Sequence, residues 1–298
     1  LLYDAYSIWL FTQSDLKTIV IPQTTFGLFC ALAMQPEVHL WVRVSGILAR
    51  LPLMLLVVWI NLLPFNIDNQ RQPAAILEDK QNKPWRTMPA GRMTGKSAKK
   101  LMLRLYVVAF FVSIYVGGIR QCLALMVLGF CYNDLELADW SWSTRNAING
   151  MGFCCFASAA LEVALNEPLS MDRHDVIVKW LAMIAGIVFS TVQLQDMPDQ
   201  QGDKLRGRKT MPLTMGDGTA RWLTAMPMLA WSTVCPAYWG LGRGPSVALG
   251  GLGLAIALRS LFLRSVDADR TTFCLWNLWM ACIYAMPLGA EAARAPVG

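Results

Sequence analysis

Charge is what this chain has least of. Lys, Arg, Asp and Glu make up 15% of its 298 residues, where a soluble domain carries about 25%. With 55% apolar residues, too little polar side chain remains to cover a water-facing surface. That excludes intrinsic disorder and an ordinary soluble globule, and leaves the membrane-embedded class. Paired cysteines are missing as well. None of the eight belongs to a CxxC pair and all lie in or beside apolar segments, so they read as buried thiols packing as small hydrophobes, not as a disulfide framework or metal site. The two histidines, His39 and His174, fall at helix-end connections away from any carboxylate cluster and read as surface groups. No secretory signal is evident, and the chain starts on Leu1 with no Met, which reads as a trimmed chain. No phosphate-loop glycine spacing is present; the Gly-rich run from Gly240 to Gly253 reads as a turn with small-residue packing.

What is abundant is the long apolar run. Nine segments are apolar enough to cross a bilayer: about 17–35, 40–63, 101–118, 120–134, 147–165, 175–195, 219–240, 245–264 and 271–289. They lack the alternation of barrel strands, so they read as helices. The expected fold is an all-α integral membrane bundle of about nine transmembrane helices, one domain over 1–298. Residues 1–16 form an amphipathic interfacial helix carrying Trp9, Leu10 and Phe11. The net charge of +6 is clumped between the runs, which argues against a nucleic-acid footprint. The lipid bilayer is the expected partner, and no obligate protein partner is inferred. Two polar connections, 66–100 and 196–218, hold 12 of the 26 Lys and Arg and lie on one side, which the positive-inside rule makes cytoplasmic.

Both connections mix carboxylates with Lys and Arg within a few turns. In the second, Asp199 and Asp203 are four apart and would share one face of a continued helix, with Asp196 three residues earlier joining them. Like charges on one stripe repel unless a cation sits between them. Mg²⁺ fits, because it takes one or two carboxylates and completes its shell with water and phosphate oxygens. Lys204, Arg208 and Lys209, with Lys83 and Arg86 of the first connection, would then face those oxygens. Carboxylates, Mg²⁺ and cations above an apolar bundle describe a site for an amphiphile with a diphosphate head and a hydrocarbon tail. An allylic cation formed there needs a water-free pocket, and aromatic faces stabilise it. Trp59, Phe65, Trp231, Trp276 and Trp279 are candidates, each with packing as its alternative. Glu162 and Glu167 belong either to an acceptor site or, for Glu162, to helix pairing. Gly117, Gly118, Gly150 and Gly152 read as close helix packing.

The stretches from Asp79 through Asn82, Pro84, Arg86, Pro89 and Gly91, and from Asp199 through Asp203 and Gly207 to Thr210, resemble the two aspartate-rich motifs of the UbiA superfamily of intramembrane prenyltransferases. The resemblance covers nearly the whole chain. It implies a nine-helix bundle with both motifs at the cytoplasmic end of a central cavity, and metal coordination by Asp79, Asp199 and Asp203. The first motif departs from the family pattern NxxxDxxxD. Counting back from Asp79 gives Ala75 and Arg71; a two-residue insertion brings Asn69 to the Asn position, and Glu78 stands in for the missing acid. Asn69, Glu78 and Asp196 are therefore further metal-ligand candidates. Asp68 reads as a helix cap or a partner of Arg71. The run Asn69, Arg71, Pro73, Glu78, Asp79 and Asn82 to Arg86 also resembles a fungal branch of membrane-bound sesquiterpene cyclases.

The implied activity is that of a Mg²⁺-dependent class I terpene cyclase ionising farnesyl diphosphate. The alternative is transfer of the prenyl group to an aromatic or other small acceptor, and a transporter or lipid-binding scaffold is a third reading. The endoplasmic reticulum is the expected membrane.

Overall fold

The computed structural model describes residues 2–35 and 37–294, the side chains of 291–294 excepted. Every regular element among them is helical. In chain order these are α1 (Leu2–Thr12), α2 (Ile21–Ala33), α3 (Leu40–Arg71), α4 (Pro73–Asn82), α5 (Gly95–Val116), α6 (Ile119–Asn133), α7 (Leu137–Trp140) and α8 (Trp142–Leu165). There follow α9 (Met171–Thr191), α10 (Gln200–Arg206), α11 (Met211–Met215), α12 (Asp217–Tyr238), α13 (Arg243–Phe262), α14 (Val266–Tyr284) and α15 (Met286–Arg294). Among the described residues six helical stretches are long and apolar enough to cross a membrane: Leu2–Ala33, Leu40–Arg71, Trp142–Leu165, Met171–Gln195, Arg243–Phe262 and Val266–Ala290. The long helices α5, α6 and α12 fall on the three remaining apolar runs; the first carries Lys96, Lys99, Lys100 and Arg104 in its opening turns.

The helices close on themselves. The eighth packs on the second, third, sixth and ninth, while α12 packs on α13 and α14 returns to α2. In lipid, helices gain little from hiding apolar surface from one another, so close approach of small residues decides the packing. At the seam where α2 packs on α8, Gly27 stands against Ala160, and Ala31, Ala157, Ala160 and Ala164 are all buried. A Cβ on Gly27 would stand 2.7 Å from the Ala160 carbonyl carbon and 2.8 Å from the Leu161 nitrogen. Gly27→Leu is expected to cost at least about 1–3 kcal/mol through overpacking, seen as a lowered Tm in detergent. An unchanged Tm would show that the seam opens freely.

The polar connections lie at one end of this bundle. Pro73 forces the residue before it out of helical geometry, so Gln72 is extended (φ −68°, ψ 140°) and the chain reverses from α3 into α4. The N-terminal helix is docked onto this end. Thr87 Oγ1 donates to the Ser7 carbonyl and Arg92 Nε to Ser7 Oγ at 3.0 Å. The Arg92 guanidinium lies over the Tyr3 ring, 4.1 Å from its centroid. Leu10 and Phe11 are buried, and Leu2, Tyr3, Tyr6 and Trp9 face outward.

The other end corrects one expectation. His174, expected at the surface, is 6% exposed. The α9 helix is kinked at this residue (φ −130°, ψ 26°), and its ring accepts from the Ser170 N–H and meets Glu167 at 3.2 Å. Glu162 pairs helices there: it binds Arg120 and accepts from the Leu169 N–H at 2.9 Å. Gly117 and Gly118 form the positive-φ turn between α5 and α6 and pack on α8, where a Cβ on Gly118 would stand 3.1 Å from that of Ala159. Gly150 does pack closely, with a Cβ position 2.9 Å from the Ala185 carbonyl oxygen, whereas Gly152 meets nothing and lines a cavity.

Candidate active site

A cavity of about 580 Å³ opens beneath the two polar connections. Six basic and three acidic side chains line it. Its inner wall is apolar and aromatic, with Phe65, Tyr132, Leu125, Phe153, Phe156 and Phe273. Of the aromatic candidates, Phe65 alone reaches it. Trp276 and Trp279 are packing residues whose indole N–H groups donate to Thr191 and Ser232, each at 3.0 Å; Trp59 and Trp231 likewise donate to Thr12 and Ser190.

The second connection is not one continued helix. A 3-10 turn over Val192–Gln195 leads into a turn through Pro198, and α10 starts only after Asp199. Asp196, Asp199 and Asp203 therefore do not share a helix stripe; each meets a different cation. Asp196 is bound by Arg145 at 2.8 Å, Asp199 by Lys83 at 2.5 Å, and Asp203 lies 3.8 Å from Arg208. The helix ends on Gly207, in the left-handed region at φ 81°. The Arg208 N–H bonds back to the Asp203 carbonyl at 3.0 Å and the Gly207 N–H to that of Lys204 at 3.2 Å. This Schellman ending requires a residue that tolerates positive φ, and it turns Arg208 back toward the cavity.

The two connections are strapped together by Asn82. Its Nδ2 donates to the Asp199 carbonyl at 3.0 Å and its Oδ1 accepts from the Gly202 N–H at 3.2 Å. Only glycine leaves room: a Cβ at 202 would lie 2.3 Å from the Asn82 amide. Behind the strap, Glu78 meets Arg206 at 3.2 Å and Arg208 at 3.3 Å, and Asp139 of α7 meets the same two arginines at 3.0 and 3.3 Å. Arg86 holds Asp79 through paired contacts of 3.0 and 3.1 Å. Asn69, at the end of α3, donates to Asn133 at 2.9 Å, and Asp68 pairs with Arg71.

Asn69, Glu78, Lys83, Arg86, Asp199 and Arg208 line the cavity; Asp79, Asp196 and Asp203 stand behind them. Lys204 and Lys209 are exposed on the outer side of the second connection and do not line it. Sequence reasoning passed over Arg145, which lines the cavity, is 5% exposed, and donates to Asp196 and the Tyr132 hydroxyl. An arginine buried in an apolar helix is itself a functional signal. It was hidden because the expected span began at 147, whereas α8 begins at Trp142.

Burial raises the Asp203 carboxyl well above the usual range, against the pull of Arg208, and Asp196 adds to the rise. Burial also raises Asp79 in spite of Arg86. It would raise Glu78 too, but Arg208, Arg206 and Lys83 outweigh it and hold that group low. Burial would lower Lys83, but Asp199 outweighs it and raises the ammonium. Neither Asp203 oxygen has a hydrogen-bond donor, nor has Oδ2 of Asp196. Among the described residues no three acidic, histidine or cysteine side chains gather to hold a metal alone. The donor set still fits Mg²⁺, which needs only one or two carboxylates when phosphate and water complete its shell: Asp199 on the cavity wall, with Asp79 behind it and also Asp203, whose oxygens lack hydrogen-bond donors.

A raised carboxyl binds its proton more tightly in the folded state. Asp203 and Asp79 thus take stability away as pH rises from the ordinary carboxylate range through their raised values. Metal-free protein is expected to lose Tm over that rise, and Mg²⁺, which binds the ionised form, to raise Tm more at about pH 8 than at about pH 5.5. A Mg²⁺ effect independent of pH would contradict the assignment of these two groups.

Residues 20–281 match the model of the UbiA prenyltransferase family. The fumagillin β-trans-bergamotene synthase of Aspergillus fumigatus is 28% identical over 288 residues, covering 95% of this chain and 91% of that protein. The somaliensene A/B synthase of Streptomyces somaliensis is 27% identical over 296 residues, covering 95% and 91%. A solved UbiA homologue from Archaeoglobus fulgidus, bound to DMAPP and Mg²⁺, superposes with a TM-score of 0.66 at 11% identity, covering 96% of this chain and 99% of that one.

Proposed function

The chain belongs to the UbiA prenyltransferase family, and we propose from this that it is a membrane-bound terpene cyclase acting on farnesyl diphosphate. The observation that carries the reading is one cavity with two characters: a cation-rich end under the strapped connections and an apolar, aromatic interior. Such a cavity fits an amphiphile with an anionic head and a hydrocarbon tail, and two of the relatives with which the chain aligns along most of its length are terpene synthases by name.

In this reading Lys83, Arg86, Arg145 and Arg208 hold the diphosphate, and charge-assisted hydrogen bonds to its oxygens strengthen as the allylic C–O bond breaks. Mg²⁺, held by Asp199 with Asp79 and Asp203, would supply neutralisation of the charge that gathers on the leaving group. The apolar wall folds the tail and excludes water, while the faces of Phe65, Tyr132 and Phe153 stabilise the cation. Nine transmembrane helices in one domain, a cytoplasm-facing site and the endoplasmic reticulum membrane complete the proposal. Prenyl transfer to a small acceptor uses the same ionisation and is the second reading, favoured by the family itself.

Purified protein in detergent, given Mg²⁺ and farnesyl diphosphate without an acceptor, is expected to yield a cyclic C15 product by gas chromatography–mass spectrometry and to stop in excess EDTA. Intact substrate under these conditions would move the assignment to prenyl transfer or to another chain length.

A further inference from the structure

All seven residues from 13 to 19 line the cavity. A regular helix returns to the same face only every 3.6 residues and shows part of such a run to one side. Here the first helical stretch is rewound: a 3-10 turn over Gln13–Asp15 passes into a π-helical turn over Leu16–Val20 before α2 begins. Irregularities of this kind are frequent at functional sites. The rewinding brings Asp15, which belongs to neither polar connection, into the cavity wall.

Asp15 Oδ2 accepts from Asn66 at 2.8 Å and lies 3.9 Å from Arg86. The same Asn66 amide donates to the Phe11 carbonyl at 3.0 Å, and Gln70 Nε2 donates to that carbonyl at 2.8 Å, so the three side chains form one cluster. The oxygens around it lack donors. Gln70 is 1% exposed and its Oε1 has no partner; Gln13 Oε1 and Ser14 Oγ are also buried without one. All these side chains line the cavity, and their donor-free oxygens are covered by neighbouring atoms. Asp15 is the group of this cluster that reaches the cavity, its side chain 30% exposed beside the cation Arg86.

We infer that this is a proton-receiving subsite, in which Asp15, carried into the cavity wall by the rewound turn, takes through a bound O–H group the proton that the reaction releases. The inference rests on the proposed ionisation of a prenyl diphosphate. When the C–O bond breaks, the diphosphate leaves with the electron pair. A carbon–carbon π bond of the same chain supplies a pair to close the ring and passes the deficit on. The last cation loses a proton, its C–H pair becoming C=C, and the proton crosses a bound water to Asp15. Alternatively the O–H oxygen attacks the cation, forms a C–O bond and gives its own proton to Asp15. The O–H group is water or a hydroxylated acceptor; one diphosphate and one proton leave in every case.

The test follows product formed per diphosphate released, with full-length protein in lipid nanodiscs, Mg²⁺, farnesyl diphosphate and ¹⁸O-labelled water. Asp15→Asn is expected to lower that ratio at least about tenfold, with uncyclised products rising, and Asp15→Glu to bring it back within about threefold. Label in the product marks attack by water, an unlabelled hydrocarbon marks the relay, and product formed only with a phenol present marks an organic acceptor. An unchanged ratio in Asp15→Asn overturns the inference and leaves the ionisation reading standing. Loss of Mg²⁺ affinity in that variant overturns it in favour of a metal-binding role. No diphosphate release by the wild type, from farnesyl or any other prenyl diphosphate, overturns both.

Discussion

Asp199→Asn is expected to lower turnover by at least about 10³-fold while costing only about 1 kcal/mol of stability. The two effects separate because of where the group stands. Its backbone carbonyl, not its side chain, carries the Asn82 strap and the first turn of α10, so the amide variant keeps both. Its carboxylate lines the cavity and meets Lys83 at 2.5 Å in a pair still reached by solvent, and partly exposed pairs contribute little to folding. What the variant removes is the one charged oxygen donor of the second connection that stands on the cavity wall. Diphosphate release and a Tm in detergent, measured side by side, check this. Full turnover with unaltered Mg²⁺ dependence would remove Asp199 from the site.

Much of this arrangement was readable from the residues, and the failures have physical causes. Apolar length located the long helices, because spanning lipid imposes it. Clumped charge located the two connections, since a bilayer leaves charge few other places. What sequence spacing could not give was which acid faces which cation. Spacing implies a common face only where the helix continues, and Pro198 interrupts it between Asp196 and Asp199. The same logic explains the first motif: Pro73 splits it, so Asn69 ends α3 while Glu78 and Asp79 lie on α4. Lys204 and Lys209 looked equivalent to Arg208 in the sequence. The Gly207 ending of α10 turns Arg208 inward and leaves the other two exposed. Asp139 carried no signal at all, since its four-residue helix is placed by tertiary contacts alone.

Arg145→Met is expected to damage both folding and function, and a second substitution separates the two. Arg145 and Asp196 are nearly solvent-free and joined at 2.8 Å. Removing the cation leaves a buried carboxylate whose other oxygen already lacks a donor, a loss of about 3–5 kcal/mol. Replacing both partners, Arg145→Met with Asp196→Asn, removes the unpaired charge and is expected to restore most of the Tm, because a buried ion pair is close to neutral against an uncharged replacement. Turnover should not return with it. The guanidinium also lines the cavity and donates to the Tyr132 hydroxyl, and no side chain in the double variant supplies that charge to an incoming diphosphate. Arg145→Lys sharpens the point: it keeps the charge but loses the fork that reaches Asp196 and Tyr132 together, so it should retain more Tm than Arg145→Met. If the double variant regained turnover along with stability, Arg145 would be a purely structural partner of Asp196, and the anion-holding end of the cavity would rest on Lys83, Arg86 and Arg208 alone.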